Sequence, residues 1–388
     1  MFSSRLPADL APTPLARAME TARQRGDVID LTESNPTRAG FAYPDLHAVF
    51  DRLDLVAYDP DPRGLAAARE AIAADYARRR VAVAADRILL TASSSESYAH
   101  LFKVLCDPGD GVLVPVPSYP LFDHLAGLEG IRLVPYRLEY HDRWHLDVDD
   151  LARCLDDRIR AVLVVSPNNP TGSVLRRDDL DRLARLCADR QLALIGDEVF
   201  ADYPVVDAAS PAAVSVIEQH TALAISLGGL SKSAGLPQLK LGWMAVGGPD
   251  DVVRAALERL ELVADTYLSV ASPVQRATPE LLQLAPRIRE QISARLTANL
   301  STLRQVAASY PACEVLPVEG GWSAVLRVPA TRTDEHWALA LAEQARVIVY
   351  PGFFFDFERD GYLVVSLLVT PVDFARGIAR LFETIDRG

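Results

Sequence analysis

A chain of 388 residues, 49% hydrophobic and 24% charged, is long enough for two or three structural units at roughly 150 residues each, and it can build a core without disulfides or metal. Its formal charge of −12 excludes a general nucleic-acid or acidic-membrane surface, since both reward an excess of Lys and Arg. Cys106, Cys154, Cys187 and Cys313 are far apart, Met1–Leu10 holds no basic stretch followed by an apolar one, and no apolar run nears the ~18 residues of a membrane span, so a cytoplasmic protein with reduced thiols is expected.

Residues 1–42 are rich in Pro and small side chains, with a short helix expected around Leu15–Arg25. They end in the turn-forming Ser34-Asn35-Pro36-Thr37, an arm suited to wrap over the rest of the chain or a partner subunit. Gly64–Arg80 reads as a helix, Arg87–Thr91 as a short apolar run, and Ser95–Cys106 again has helical spacing. Asp107-Pro108-Gly109-Asp110 is a turn by its chemistry. Val112–Val116 and Ile131–Tyr136 are strand-like, with a helical stretch between them. Ala161–Ser166, Leu192–Gly196 and Ala222–Leu227 are continuous apolar runs, the first two separated by a helix at Arg177–Arg190. Short apolar runs alternating with helices indicate a mostly parallel sheet covered on both faces, an α/β architecture.

After Pro273 the pattern changes. Ile288, Ile292, Leu296 and Leu300 fall at helical spacing on a long segment, and strands are expected at Trp322–Val328, Val347–Tyr350 and Tyr362–Leu368. The expected division is a large α/β domain over residues 43–277, with 1–42 and 278–388 forming a smaller α+β domain.

Lys232, in Gly228-Gly229-Leu230-Ser231-Lys232-Ser233, lies just beyond an apolar strand and among small residues. An amine there has room to form an imine with an aldehyde cofactor; the plainer reading is a solvated loop lysine. Lys232-Ser233 also ends like a nucleotide-binding P-loop, but Ser231 stands where that motif needs Gly. Asp197 closes the strand Leu192–Gly196, where a carboxylate points into the ligand crevice of an open α/β sheet; alone it reads equally as a helix cap or surface acid. Asn168-Asn169-Pro170-Thr171-Gly172 is a tight turn whose amide could donate to a phenolic oxygen. Ser93-Ser94-Ser95-Glu96 joins a strand to a helix, giving an anion site at the helix N-terminus or simple capping by Ser94 or Ser95.

In order and spacing these segments together resemble the fold type I pyridoxal-phosphate enzymes of the class I/II aminotransferase family, from Tyr58 to the C-terminus. The resemblance implies pyridoxal 5'-phosphate as cofactor, Lys232 as the Schiff-base lysine in Ser231-Lys232-Ser233-Ala234-Gly235-Leu236-Pro237, and Asp197 as the partner of the pyridine nitrogen. It implies that Asn169 faces the phenolic O3′, that Ser94 and Ser95 bind the phosphate, and that Tyr119, in Pro117-Ser118-Tyr119-Pro120, stacks on the ring. Tyr58 resembles the tyrosine that reaches the phosphate of a neighbouring subunit, which implies a homodimer with shared active sites. The implied reaction moves an amino group from an amino donor to a keto-acid acceptor, with Lys232, Asp197 and Asn169 as its catalytic residues.

Three departures from the family pattern stand out. Phe200 occupies the position of a tyrosine that donates to O3′, so the phenolic oxygen should be more basic. Lys240 replaces an arginine on the phosphate, keeping the charge but losing the bidentate fork. In Gly361-Tyr362-Leu363-Val364-Val365-Ser366, Val364 takes the place of the arginine that binds the substrate carboxylate. Arg38 and Arg327 are the candidate replacements. A β/γ-lyase or a cyclising enzyme shares the same early chemistry, and a non-catalytic cofactor binder is a reading from another class. His141 and His145, spaced i, i+4, would suit a metal only on one helix face, and Phe353-Phe354-Phe355 reads as core or as an apolar pocket wall.

Overall fold

The computed structural model describes residues 2–7, 9–58, 60–205 and 213–388. Along the chain run α1 (Pro14–Gln24), β1 (Ile29–Asp30), α2 (Leu46–Phe50), α3 (Ala66–Arg78), β2 (Ile88–Thr91), α4 (Ser94–Leu105), β3 (Gly111–Val116), α5 (Leu121–Glu129), β4 (Arg132–His141) and β5 (Arg143–Leu146). They are followed by α6 (Val148–Arg153), β6 (Ile159–Val165), α7 (Arg177–Arg190), β7 (Ala193–Asp197), β8 (Ala224–Gly229), α8 (Leu230–Ser233), β9 (Gly242–Gly247) and α9 (Asp250–Tyr267). The last third holds α10 (Ser272–Ala307), β10 (Glu314–Val315), β11 (Ser323–Arg327), α11 (Asp334–Ala340), β12 (Val347–Ile348), β13 (Tyr350–Pro351), β14 (Tyr362–Ser366) and α12 (Pro371–Asp386).

Eight strands form the large sheet in the order β2-β9-β8-β7-β6-β3-β4-β5. The pairs joining β4, β3, β6, β7 and β8 are parallel; β9 runs antiparallel between β2 and β8, and β5 antiparallel to β4. The central strands β7 and β8 are buried throughout and β6 is buried except at Arg160, as continuous apolar runs require when helices cover both faces. One core packs α3, α7 and the first half of α10 on one face; a second packs α4, α5 and α9 on the other.

A third core joins α1, the second half of α10, β11, β14 and α12. Here β10-β11-β14-β13 form an antiparallel sheet, and β1 pairs with β12, so the N-terminal arm is stitched to the C-terminal third. The expected boundary at Ala277 falls inside α10, which is one continuous helix. Its buried residues belong to the large-sheet core through Ala285 and to the third core from Ile288 onward.

His141 and His145 do not share a helix. They flank a β-hairpin whose tip, Asp142, has φ of 61°, and among the described residues no group of three His, Cys, Asp or Glu side chains is placed to hold a metal. The Phe353–Phe355 run divides: Phe355 is buried against Trp144 and Tyr362, whereas Phe353 and Phe354 are exposed.

Candidate active site

Register brings the chemistry to one edge of the sheet. Val165, Asp197 and Leu227 are paired in one row across β6, β7 and β8, so the segments that follow these strands emerge side by side at their carboxyl ends, where open α/β sheets bind ligands. They carry Asn169, Asp197 to Phe200, and Lys232.

Lys232 sits in the single turn of α8. Its Nζ lies 4.8 Å from the centre of the Trp322 ring and 5.4 Å from that of Phe200. Burial among these rings lowers its pKa from 10.5 to about 8, with Asp197 pulling the other way. The residue as a whole is partly rather than fully buried, while the amine itself is strongly desolvated.

Asp197 is buried, and burial pushes its carboxyl up from the ordinary aspartate value, against the lowering effect of its hydrogen bonds. Tyr98, from the sheet-facing side of α4, donates its hydroxyl to Oδ2 at 2.7 Å, and the Val199 amide donates to Oδ1 at 3.3 Å. A carboxylate kept in that setting is best satisfied by a cation. Phe200 packs its ring on the edge of Trp322 at 5.3 Å between centroids. Tyr119 is 44% exposed; burial raises its pKa, and Asp197 adds to the rise, which places it within electrostatic reach of that carboxylate.

Asn169 accepts a hydrogen bond from Ser323 Oγ at 3.3 Å. Its neighbour Asn168 closes the turn instead: Oδ1 accepts from the Thr171 amide and hydroxyl at 3.2 and 2.9 Å, and its buried Nδ2 has no partner among the described residues.

The cap of α4 is Ser93, not Ser94 or Ser95. Ser93 Oγ accepts from the Glu96 amide at 3.2 Å, as an N-cap does, while Glu96 Oε2 reaches one residue further back and accepts from the Ala92 amide at 2.6 Å. The first-turn amides of Ser94 and Ser95 are therefore free to face an anion, as helix N-termini do. Gly242 backs this turn and pairs with Thr91 on one side and Gly229 on the other. A Cβ at Gly242 would stand 2.9 Å from the Ser93 carbonyl carbon and 3.1 Å from the Ser94 nitrogen. Lys240, two residues earlier, is exposed, with φ of 52° and no ion-pair partner among the described residues. The cradle thus has free amides, two hydroxyls and a nearby cation, a donor set that fits a phosphate monoester; the buried acid and desolvated amine fit a pyridine ring and an aldehyde. The residues present fit pyridoxal phosphate.

The remaining candidates are placed differently. Tyr58 is 72% exposed on the segment between α2 and α3, beside Pro60, His100 and Leu268. Arg38 is exposed, and its side chain has no hydrogen-bond or ion-pair partner among the described residues. The segment before it lies against β14, where Ser366 donates from its amide to the Leu31 carbonyl at 2.7 Å and from its hydroxyl to the Glu33 carbonyl at 2.6 Å. Arg327 ends β11, about 13 Å along the strand from Ser323, paired with Glu314 and set over the Tyr140 ring; the structure does not bring it to Lys232. Val364 is buried with Val325, Phe355 and Tyr362. It is Ser366, opposite Ser323, that stands at the Asn169 end of β14, so neither position supplies a cation. Tyr98 and Trp322 escaped sequence reasoning because each meets its partner only through the fold; a polar-tipped side chain on the sheet face of α4 was the one signal for Tyr98.

Residues 54–381 match the family described as aminotransferase class I and II. Glutamate–pyruvate aminotransferase AlaA of Escherichia coli K12 is 27% identical over 369 residues, covering 92% of this chain and 91% of its own length. Alanine aminotransferase of Mycobacterium bovis is 27% identical over 366 residues, 91% and 84% of the two chains. Alanine aminotransferase from Pyrococcus furiosus superposes with a TM-score of 0.89 at 22% identity over the whole of both chains.

Proposed function

The chain belongs to the class I and II aminotransferase family, whose members depend on pyridoxal phosphate, and from that premise we propose that it moves an amino group between an amino acid and a 2-keto acid through Lys232. The observation that carries this reading is the row Val165–Asp197–Leu227, which delivers a buried acid and a desolvated lysine to one strand edge, beside the Gly242 cradle. Pyridoxal phosphate, when bound, supplies an aldehyde that captures amines and a ring that withdraws electrons from the substrate α-carbon.

The residues divide the work. Lys232 Nζ, with its pKa near 8, holds a usable neutral fraction near neutrality and takes the proton from the substrate Cα as general base. Asp197, fixed by Tyr98, keeps a cationic ring nitrogen paired. Tyr119 covers the ring face, and the Asn169 amide donates to the phenolic oxygen. Ser94, Ser95 and Ser231 offer hydroxyls and amides to the phosphate, with Lys240 as a point charge. Phe200 and Trp322 wall the lysine and keep water from it. Arg38 is the cation for the substrate carboxylate: its segment lies against Ser366, and its guanidinium has no partner among the described residues.

Tyr58, exposed on its own subunit, is suited to reach the phosphate of a second copy in a homodimer. The four free cysteines suit a cytoplasmic location. Alanine, glutamate and pyruvate are the first substrates to try, given the names of the relatives.

The test is an absorption spectrum of the purified protein with pyridoxal phosphate, before and after each donor. A visible band absent in Lys232→Ala, lost on adding a donor and restored by a keto acid, is the expected result. No band in the wild type, or one that no donor and keto acid interconvert, would overturn the proposal.

A further inference from the structure

The turn that carries Lys232 is one helical turn long, and the Gly235 amide just beyond it donates back to the Lys232 carbonyl at 3.2 Å. Three side chains from three distant parts of the chain donate to carbonyls of this turn and of Gly235 just after it. Tyr203, just past β7, donates its hydroxyl to the Lys232 carbonyl at 2.7 Å. Arg289, on α10, donates from Nε to the Ser233 carbonyl at 2.6 Å. Tyr43, at the end of the N-terminal arm, donates to the Gly235 carbonyl at 2.7 Å. Gly235 itself has φ of 62°, and a Cβ there would stand 2.8 Å from Ile288 Cγ2, so the turn is pressed directly onto α10.

Arg289 is the most constrained of the three. Its two terminal nitrogens grip Asp75 of α3 at 2.9 and 3.0 Å, and Asp202 approaches Nη2 at 3.5 Å. Arg78 pairs with both aspartates, so two cations face two carboxylates, and Arg289, Asp75 and Asp202 are all buried. Replacing such a buried cluster by apolar side chains is often neutral or stabilising, so its worth is geometric more than energetic. Arg289 also stands one residue past Ile288, just beyond the stretch Ala285–Ile288 where α10 passes from the large-sheet core to the third core.

We infer that Arg289 is a positioning residue for Lys232: clamped by Asp75 and Asp202, it fixes the Ser233 carbonyl and, with Tyr203, sets the direction in which the lysine side chain leaves its turn. This rests on Lys232 being the reactive amine. A displaced turn carries Nζ off its place between Trp322, Phe200 and Asp197, which alters both its reach and its acidity.

Two variants test the inference. Arg289→Lys keeps a cation between the aspartates but loses the planar fork; Tyr203→Phe removes only the hydroxyl on the Lys232 carbonyl. Acidity of Lys232 is read in cofactor-free protein by trace acetylation across pH, followed by mass spectrometry. The rate constant of the amino-donor half-reaction is read at saturating alanine or glutamate. Each variant should lower that rate constant about tenfold, with donor KM within about threefold, as misplacement of a reacting group does. Each should also move the wild-type labelling midpoint, near 8, toward 10.5. A fall in melting temperature with rate constant and midpoint unchanged would show that the network only holds the structure, and would overturn the inference. Should Arg289→Lys fail to fold, Tyr203→Phe decides by the same two readings. A wild-type protein that never forms the visible band would sink the aminotransferase reading instead, while the labelling midpoint would still judge the positioning.

Discussion

Tyr98 donates its hydroxyl to Asp197 Oδ2 at 2.7 Å, across 99 residues of sequence. This bond anchors the carboxyl from the helix that also presents Ser94 and Ser95, so the proposed ring and phosphate ends of the site share one rigid support. A hydrogen bond to a charged group contributes about 1.5–3 kcal/mol. Tyr98→Phe should therefore weaken pyridoxal phosphate binding about tenfold or more, read by titrating cofactor into the cofactor-free protein. The fold should survive, because the ring still packs on Phe102 and Phe122. Unchanged affinity would mean that Asp197 does not hold the ring nitrogen.

Gly242 gives a sharper handle on the phosphate. Its dihedrals lie outside the left-handed region, so alanine meets no backbone strain there, but its Cβ would crowd the Ser93–Ser94 peptide at 2.9 Å. Gly242→Ala should push that turn outward and raise the Kd for pyridoxal phosphate by about tenfold, on the scale of a 1.4 kcal/mol loss. Binding of pyridoxal without its phosphate should change little. Equal losses for both would place the phosphate elsewhere.

The central strands were readable because β6, β7 and β8 are buried on both faces, which leaves no choice but continuous apolar runs. The Asn169, Asp197 and Lys232 segments were readable because each follows such a run within a few residues. β9 and α9 were not picked out: Gly242–Gly247 resembles any short apolar run, and nothing local says that it inserts antiparallel between β2 and β8. Pairings such as Tyr98–Asp197 and Tyr43–Gly235 leave no periodic trace in the sequence, because they are made by the topology. In β14 the sequence reading named Val364, whereas Ser366, two residues on, stands opposite Ser323 at the Asn169 end. That offset keeps the face of the strand but moves the position by about 6.6 Å along it, enough to separate an apolar core from the neighbourhood of Asn169.

Phe200 offers no hydroxyl where the family resemblance implies a tyrosine, and its ring lies edge-on to Trp322, 5.4 Å from Lys232 Nζ. Without that donor a phenolic oxygen at Asn169 is more basic, so the visible band of the bound cofactor should hold its protonated form to higher pH. Phe200→Tyr should lower the midpoint of that titration, by about one unit for each 1.4 kcal/mol the new hydrogen bond contributes. An unshifted midpoint would mean that the side chain at position 200 does not face the phenolic oxygen.

Lys232 also leaves a mark on stability that needs no cofactor. Its pKa is about 8 in the folded chain against 10.5 for an ordinary lysine. Below about pH 8 both states carry the proton, and the folded state bears the full cost of burying an ammonium. Between those two values the unfolded chain still binds the proton while the folded one has released it, so stability rises with pH. Lys232→Met removes the burden, filling similar space with an uncharged side chain. Urea midpoints of the cofactor-free proteins at about pH 7 and about pH 9.5 should therefore show the variant ahead at the lower pH and the gap narrowing at the higher. The exposed part of the residue reduces the size of the effect and leaves its sign unchanged. Parallel pH trends for the two proteins would mean that the amine titrates as an ordinary solvated lysine, and Lys232 could not then serve as a base near neutrality.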